Sequence, residues 1–186
     1  MLITSTIATI LLVVFAIFLT FFVLPLVILW FVSIVGSGAP FVPVPSKAVQ
    51  GIVDALELAD GAVVYDMGCG DGRVLLAVIR RNLNIRAVGL EKALLPYLIA
   101  KYRTRGTRIE ILRRDFFKEN LVEATHVVTY LFPTLMERVE AKLDQELKPG
   151  TRIVAIDFPL EHRKPTRTVE QQLAGLKRGT TLYIYD

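Results

Sequence analysis

Apolar positions follow two different patterns on either side of Lys47. From Ile7 to Val35 they are almost continuous, and no Asp, Glu, Lys, Arg or His occurs between Met1 and Ser46. Beyond Lys47 they come in short runs split by polar and turn-forming residues. Val49, Ile52, Val53 and Leu56 recur at i, i+3, i+4 and i+7, which predicts a helix with Ser46 as its N-cap. Strands are predicted at Ala62–Tyr65, Arg86–Leu90, Ile109–Leu112, Thr125–Leu131, Arg152–Ile156 and Thr180–Tyr185, with Arg167–Gln171 as partner to the last. Helices fall between them: Val74–Ile79, a segment from Pro96 to about Arg105, and Thr134–Leu147. Such alternation implies a mostly parallel sheet with helices on both faces.

The long apolar run exceeds the roughly 20 residues that cross a bilayer core. It lacks the basic start of a cleaved signal peptide, and its core is too long for one. Pro25 is expected to kink the helix; it is the only turn-former available for a hairpin there. Trp30 and Phe31 mark an interfacial end, and Gly36-Ser37-Gly38 breaks the helix. Residues 1–36 therefore read as a transmembrane anchor, 37–46 as a stiff proline-rich connector, and 47–186 as a separate domain. Lys and Arg follow the span and none precede it, which puts that domain on the cytoplasmic or equivalent side.

Composition narrows the chemistry. All 22 basic and 18 acidic residues lie in the domain, for a net charge of +4, while the mean hydropathy of +0.48 comes from the first segment. One cysteine, Cys69, excludes an internal disulfide framework. Two histidines without a Cys or carboxylate cluster give no metal site.

The most informative stretch is Asp66-Met67-Gly68-Cys69-Gly70-Asp71-Gly72-Arg73. A strand ends in an acid, glycines follow at alternate positions, and a helix begins at once, which is how open α/β sheets grip nucleotide-like ligands. The dinucleotide pattern G-x-G-x-x-G fails at Arg73, and the phosphate-loop ending G-K-[ST] is missing. D-x-G-x-G-x-G resembles motif I of class I S-adenosylmethionine (SAM) methyltransferases, and Asp66 suits the ammonium and sulfonium of SAM better than a pyrophosphate. Cys69 fills a place where a small side chain is wanted. Glu91, nineteen positions after Gly72, is placed for the ribose hydroxyls. Asp115 is placed for the adenine amino group and Phe116 for the base. Tyr130, Phe132 and Pro133 after the fourth strand, with Asp157 after the fifth, are the candidates on the acceptor side; Asp157 could accept a proton or orient an amine.

Together with Pro40-Phe41-Val42-Pro43-Val44-Pro45, Arg114-Asp115-Phe116, Phe132-Pro133, Leu147-Lys148-Pro149-Gly150 and Phe158-Pro159-Leu160, these motifs resemble the small membrane-anchored protein-lysine methyltransferases. Mitochondrial members of that family modify the adenine nucleotide translocase and the c subunit of ATP synthase. The resemblance implies a Rossmann-like, seven-stranded class I methyltransferase sheet after one transmembrane helix. It also implies SAM as cofactor and N-methylation of a lysine on a membrane-associated protein. A lipid or other small membrane-associated acceptor stays open, as does a non-catalytic SAM-binding role. Nucleic acid is disfavoured as a substrate, because a charge of +4 is modest and no Asn/Asp-Pro-Pro-Tyr motif follows the fourth strand.

Overall fold

A computed structural model describes residues 2–28, 41–81 and 84–186, so the expectations for Trp30, Phe31 and Gly36 to Pro40 lie outside the described residues. The chain forms two units, Met1–Pro40 and Phe41–Asp186. In the first, helix α1 (Leu2–Phe18) runs into a π-helical turn (Leu19–Val23) and stays helical to Ile28. Thr6–Ile28 has a mean hydropathy of 3.1 over its most apolar stretch and buries none of it, so by length and composition it is fit to cross a membrane. The π turn answers to Pro25, whose ring crowds the carbonyl four residues back. There the Leu24 N–H bonds the Leu19 carbonyl, a five-residue step, and the helix passes through Pro25 without a hairpin.

The second unit is built on seven strands: β1 (Val63–Met67), β2 (Arg86–Leu90), β3 (Ile109–Leu112), β4 (His126–Thr129), β5 (Arg152–Ile156), β6 (Arg167–Glu170) and β7 (Thr181–Tyr185). Their order is β3-β2-β1-β4-β5-β7-β6. β1 to β5 pair in parallel, and β7 runs antiparallel between β5 and β6. Among the described residues of this unit, helix α2 (Val49–Ala55) precedes the first strand, and α3 (Arg73–Ile79), α4 (Leu94–Arg103) and α5 (Pro133–Glu146) join later ones.

Alternate strand residues point to opposite faces, and the two faces are covered unequally. Val64, Ala87, Val128, Val154 and Ile184 meet α2 and α3 through Ile52, Leu56, Leu75 and Val78, and α4 through Ala100. Tyr65, Met67, Val88, Val127, Ile153 and Tyr185 meet only α5 through Met136, Val139 and Leu143, with Leu121 and Leu160 from loops. Each such fully buried aliphatic side chain contributes about 1.5–3 kcal/mol. Between β3 and β4 there is one 3-10 turn (Phe116–Lys118), and among the described residues no helix joins β5 to β6. A loop takes that helix's place. The buried Glu140 carboxylate accepts from the Glu161 and His162 amides at 2.8 Å each, and the Tyr185 hydroxyl accepts from Leu160 N at 2.8 Å.

Several boundaries differ from the sequence expectation. α4 begins at Leu94, two residues before Pro96, because an N–H in the first turn has no helical partner to lose. α2 has Ala48, not Ser46, at its N-cap, without a side-chain cap. The Ser46 hydroxyl instead accepts from Arg73 Nη1 at 3.4 Å. β1 extends to Met67 and β4 stops at Thr129, leaving Tyr130 at the rim of the sheet.

Candidate functional site

β1 lies between β2 and β4, where the strand order reverses, and the crevice beyond the carboxyl ends of such strands is where open α/β sheets bind ligands. The glycine loop sits there. Gly68, Gly70 and Gly72 have φ of +80°, +56° and +76°, a region that side chains with a Cβ disfavour. The Gly68 and Cys69 amides both donate to the Leu90 carbonyl, at 2.8 and 3.0 Å, pinning the loop to the end of β2. A Cβ on Gly68 would stand 2.9 Å from Leu131 Cδ2, and one on Gly70 2.5 Å from the Phe41 ring. Cys69 is buried, and burial pushes its thiol well above the ordinary range, so it packs and does not react. Its Sγ lies over Gly89, where a Cβ would be 2.7 Å from that sulfur and 2.9 Å from Leu75 Cδ1. β2 thus needs a glycine in mid-strand to let α3 and the loop approach.

Three acids converge on this loop. Asp66 is 5% exposed and is pushed up to about 7, first by burial and then by Glu91 and Asp71. Glu91 Oε2 accepts from Gly70 N at 3.0 Å and Oε1 from Ala93 N at 2.8 Å. Burial raises its pKa against those backbone bonds. Asp71 differs. Burial raises it, but the hydrogen bonds and charge of Arg73, with the charge of Arg103, outweigh that and hold it low. Arg73 grips it through Nε at 2.8 Å and Nη2 at 2.7 Å, and Arg103 joins from α4. Arg73 Nη1 also donates to the Val44 carbonyl at 2.6 Å, so it fastens the connector to the loop.

Asp66 and Glu91 have no basic side chain as ion-pair partner among the described residues. Two buried carboxylates beside close-packed glycines call for a ligand that brings positive charge and hydroxyl donors. SAM fits, with its ammonium, sulfonium and ribose; a pyrophosphate would add like charge.

The remaining predicted residues lie around this centre. Asp115 caps the 3-10 turn by accepting from Phe117 N at 3.1 Å and pairs with Lys92 at 3.3 Å. Phe116 packs on Phe117, ring centres 4.5 Å apart, against the face covered by α5. Tyr130 is half-buried, its ring 6.5 Å from Phe158 and its hydroxyl beside the Asp157 carboxylate. Burial, then Asp157, pushes that phenol up to about 12. The Asp157 carboxylate also accepts from the Gly179, Thr180 and Thr181 amides at 2.6, 3.0 and 3.3 Å. Phe132 is 37% exposed at the N-cap of α5, and Pro133 occupies the first helical position, where its missing N–H costs nothing.

The ANTKMT methyltransferase domain matches residues 66–167, from the first acid of the glycine loop to the start of β6. The chain belongs to this family. It is a SAM-dependent methyltransferase. A protein-lysine N-methyltransferase of Saccharolobus islandicus is 31% identical over 150 residues, covering 78% of this chain and 92% of that protein. The adenine nucleotide translocase lysine N-methyltransferase of Mus musculus is 32% identical over 136 residues, covering 70% of this chain and 58% of the relative. Among solved structures, an RNA methyltransferase of Salinibacter ruber in complex with S-adenosyl-L-homocysteine superposes with a TM-score of 0.69. It is 30% identical, and the match covers 77% of this chain and 92% of that one.

Arg73, Gly89 and Phe41 also pack against the glycine loop, a role that sequence pattern did not give them. The Arg73–Val44 contact spans 29 positions and leaves no local pattern. Gly89 did carry a signal, as a lone glycine inside an apolar strand.

Proposed function

We propose that this methyltransferase modifies the ε-amine of a lysine on a membrane-associated protein. Residues 1–36 serve as its anchor, 37–46 as connector and 47–186 as catalytic domain on the cytoplasmic or equivalent side. The observation that carries the acceptor class is the identity of 31–32%, over most of the domain, to two protein-lysine methyltransferases. The apolar helix fit to cross a bilayer supports a membrane-associated target.

In this reading Asp66 meets the cofactor's ammonium, Glu91 the ribose hydroxyls, Asp115 the adenine amino group and Phe116 the base. Gly68, Cys69, Gly70 and Gly72 shape the loop around the methionine part. Bound SAM supplies an electrophilic methyl on sulfur. What the chain must add is alignment of a neutral amine, since in-line transfer gains most from positioning. Tyr130 is suited to this. A phenol pushed up to about 12 stays protonated at neutral pH, so it is no base. Its proton is committed to Asp157, which leaves an oxygen lone pair to accept an amine N–H and aim the nitrogen. Asp157 orients Tyr130, Phe132 forms the exposed lip, and Pro133 fixes the start of α5. The lysine's own proton leaves to water before transfer.

Membranes from cells lacking the protein, incubated with the full chain and methyl-labelled SAM, test the acceptor. Label recovered as methyl-lysine in a membrane-protein band is the expected result. Label in the lipid extract or in RNA overturns the lysine assignment.

A further inference from the structure

Helix α4 buries one face and leaves the other bare. Pro96 and Ala100 pack inward, whereas Leu95, Leu98, Ile99 and Tyr102 are 37%, 49%, 37% and 78% exposed. These four stand at i, i+3, i+4 and i+7, one continuous stripe on the helix. Cations are dense in the same stretch of sequence. Residues 92–114 hold seven Lys or Arg against the single acid Glu110, and Lys92, Arg103 and Arg114 of these are paired with Asp115, Asp71 and Glu119. Lys101, Arg105 and Arg113 are exposed and have no carboxylate partner among the described residues. An apolar stripe flanked by cations is the pattern of a helix lying in a bilayer interface, apolar side chains among the acyl chains and cations at anionic headgroups. A protein partner would need acids spaced to match, whereas an anionic lipid surface supplies negative charge at any spacing.

We infer that the exposed face of α4 is a docking surface for an anionic lipid bilayer, a second membrane contact separate from the apolar N-terminal helix. It does not depend on the identity of the methyl acceptor. Its place in the fold gives it a consequence for the site. α4 follows Glu91 directly, with Ala93 N bonded to that carboxylate, and Arg103 at its other end grips Asp71 of the glycine loop. Docking would therefore hold the cofactor loop close to the headgroups.

The single tryptophan, Trp30, can be changed to Phe and a probe installed as Tyr102→Trp in the full chain, reconstituted into vesicles carrying brominated acyl chains. In phosphatidylserine-rich vesicles the probe should shift to the blue and be quenched. Quenching should fall several-fold in pure phosphatidylcholine or in high salt, about five-fold for each cation lost near the surface. Leu98→Glu with Ile99→Glu should abolish quenching while SAM affinity, the check on folding, stays unchanged. Unquenched emission in phosphatidylserine vesicles overturns the inference. So does quenching that ignores headgroup charge, or a blue shift that grows with protein concentration in detergent, which would assign the face to a second copy of the chain.

Discussion

The two ends of the sheet use several of their acids differently. Around β1 and β2, Asp66 has no cationic partner among the described residues and is pushed up to about 7, and Glu91 is raised in the same direction. Around β4, β5 and β7, Asp157 receives three backbone amides and Glu140 two, and each builds a loop. Asp71 in the half around β1 and β2 is held by Arg73 and Arg103, but Asp66 and Glu91 there are left short of positive charge, a deficit that a cationic ligand fills. The other half uses its acids for its own architecture. Ligand affinity and fold stability should therefore separate by region.

The strongest test of that separation is Gly68→Val. At φ +80° and with a Cβ 2.9 Å from Leu131, the loop must move, and calorimetric titration should detect no SAM binding. Retained binding would mean that the loop is not the cofactor cradle.

Asp66→Asn comes next. It removes a charge-assisted contact worth about 1.5–3 kcal/mol, so SAM affinity should drop roughly ten- to hundred-fold. The wild-type pH profile carries the sign. A cation prefers ionised Asp66, which is protonated below about 7 in the free protein. Affinity should rise about ten-fold per unit as pH approaches 7 from below and level off above, and the Asn variant should flatten that limb. Fold stability runs the other way. A carboxyl raised from 3.8 to about 7 binds more protons folded than unfolded, so the free enzyme loses stability as pH climbs through that window. Asp66→Asn should remove that loss, as denaturant melts at pH 5 and pH 8 can show.

Asp157→Ala sharpens the contrast from the acceptor side. It strands three amides and should cost about 2 kcal/mol of stability, with SAM affinity changed by no more than about two-fold. A large fall in SAM affinity here would break the division between the halves. The smallest effect expected is that of Glu140→Gln, which keeps an acceptor oxygen for Glu161 and His162 but weakens both bonds. About 1 kcal/mol in denaturant unfolding, with SAM affinity unaltered, is the predicted outcome.

Legibility followed the same division. Asp66, the three glycines, Glu91 and Asp115 could be placed from sequence because each falls at or just beyond a strand end, and local periodicity marks strand ends. All seven strands were legible for that reason, including the pairing of β6 with β7. The clamp of Arg73 on Asp71 and Val44 was not, since its geometry depends on the connector folding back over the loop. Nor was the closing of the 179–181 turn on Asp157, which lies 22 to 24 positions away in sequence. Pro96 misled for a physical reason. Proline's missing donor is tolerated anywhere in the first turn, so its position sets the helix start only to within that turn.

The order in which β7 enters the sheet bears on assembly. The contacts that close the glycine loop are short in sequence: Arg73 reaches back 29 positions, and Glu91 lies 21 from Gly70. β6, by contrast, has no neighbour but β7 among the described strands, and β7 comes after it in the chain. In a polypeptide made from its amino end, the glycine loop can close while β5 still stands as an open edge. β7 then seals both β5 and β6 and buries Leu182, Ile184 and Tyr185 together. Until β7 arrives, the unpaired side of β5 is the exposed edge of the parallel sheet, and that edge is where misfolding would begin.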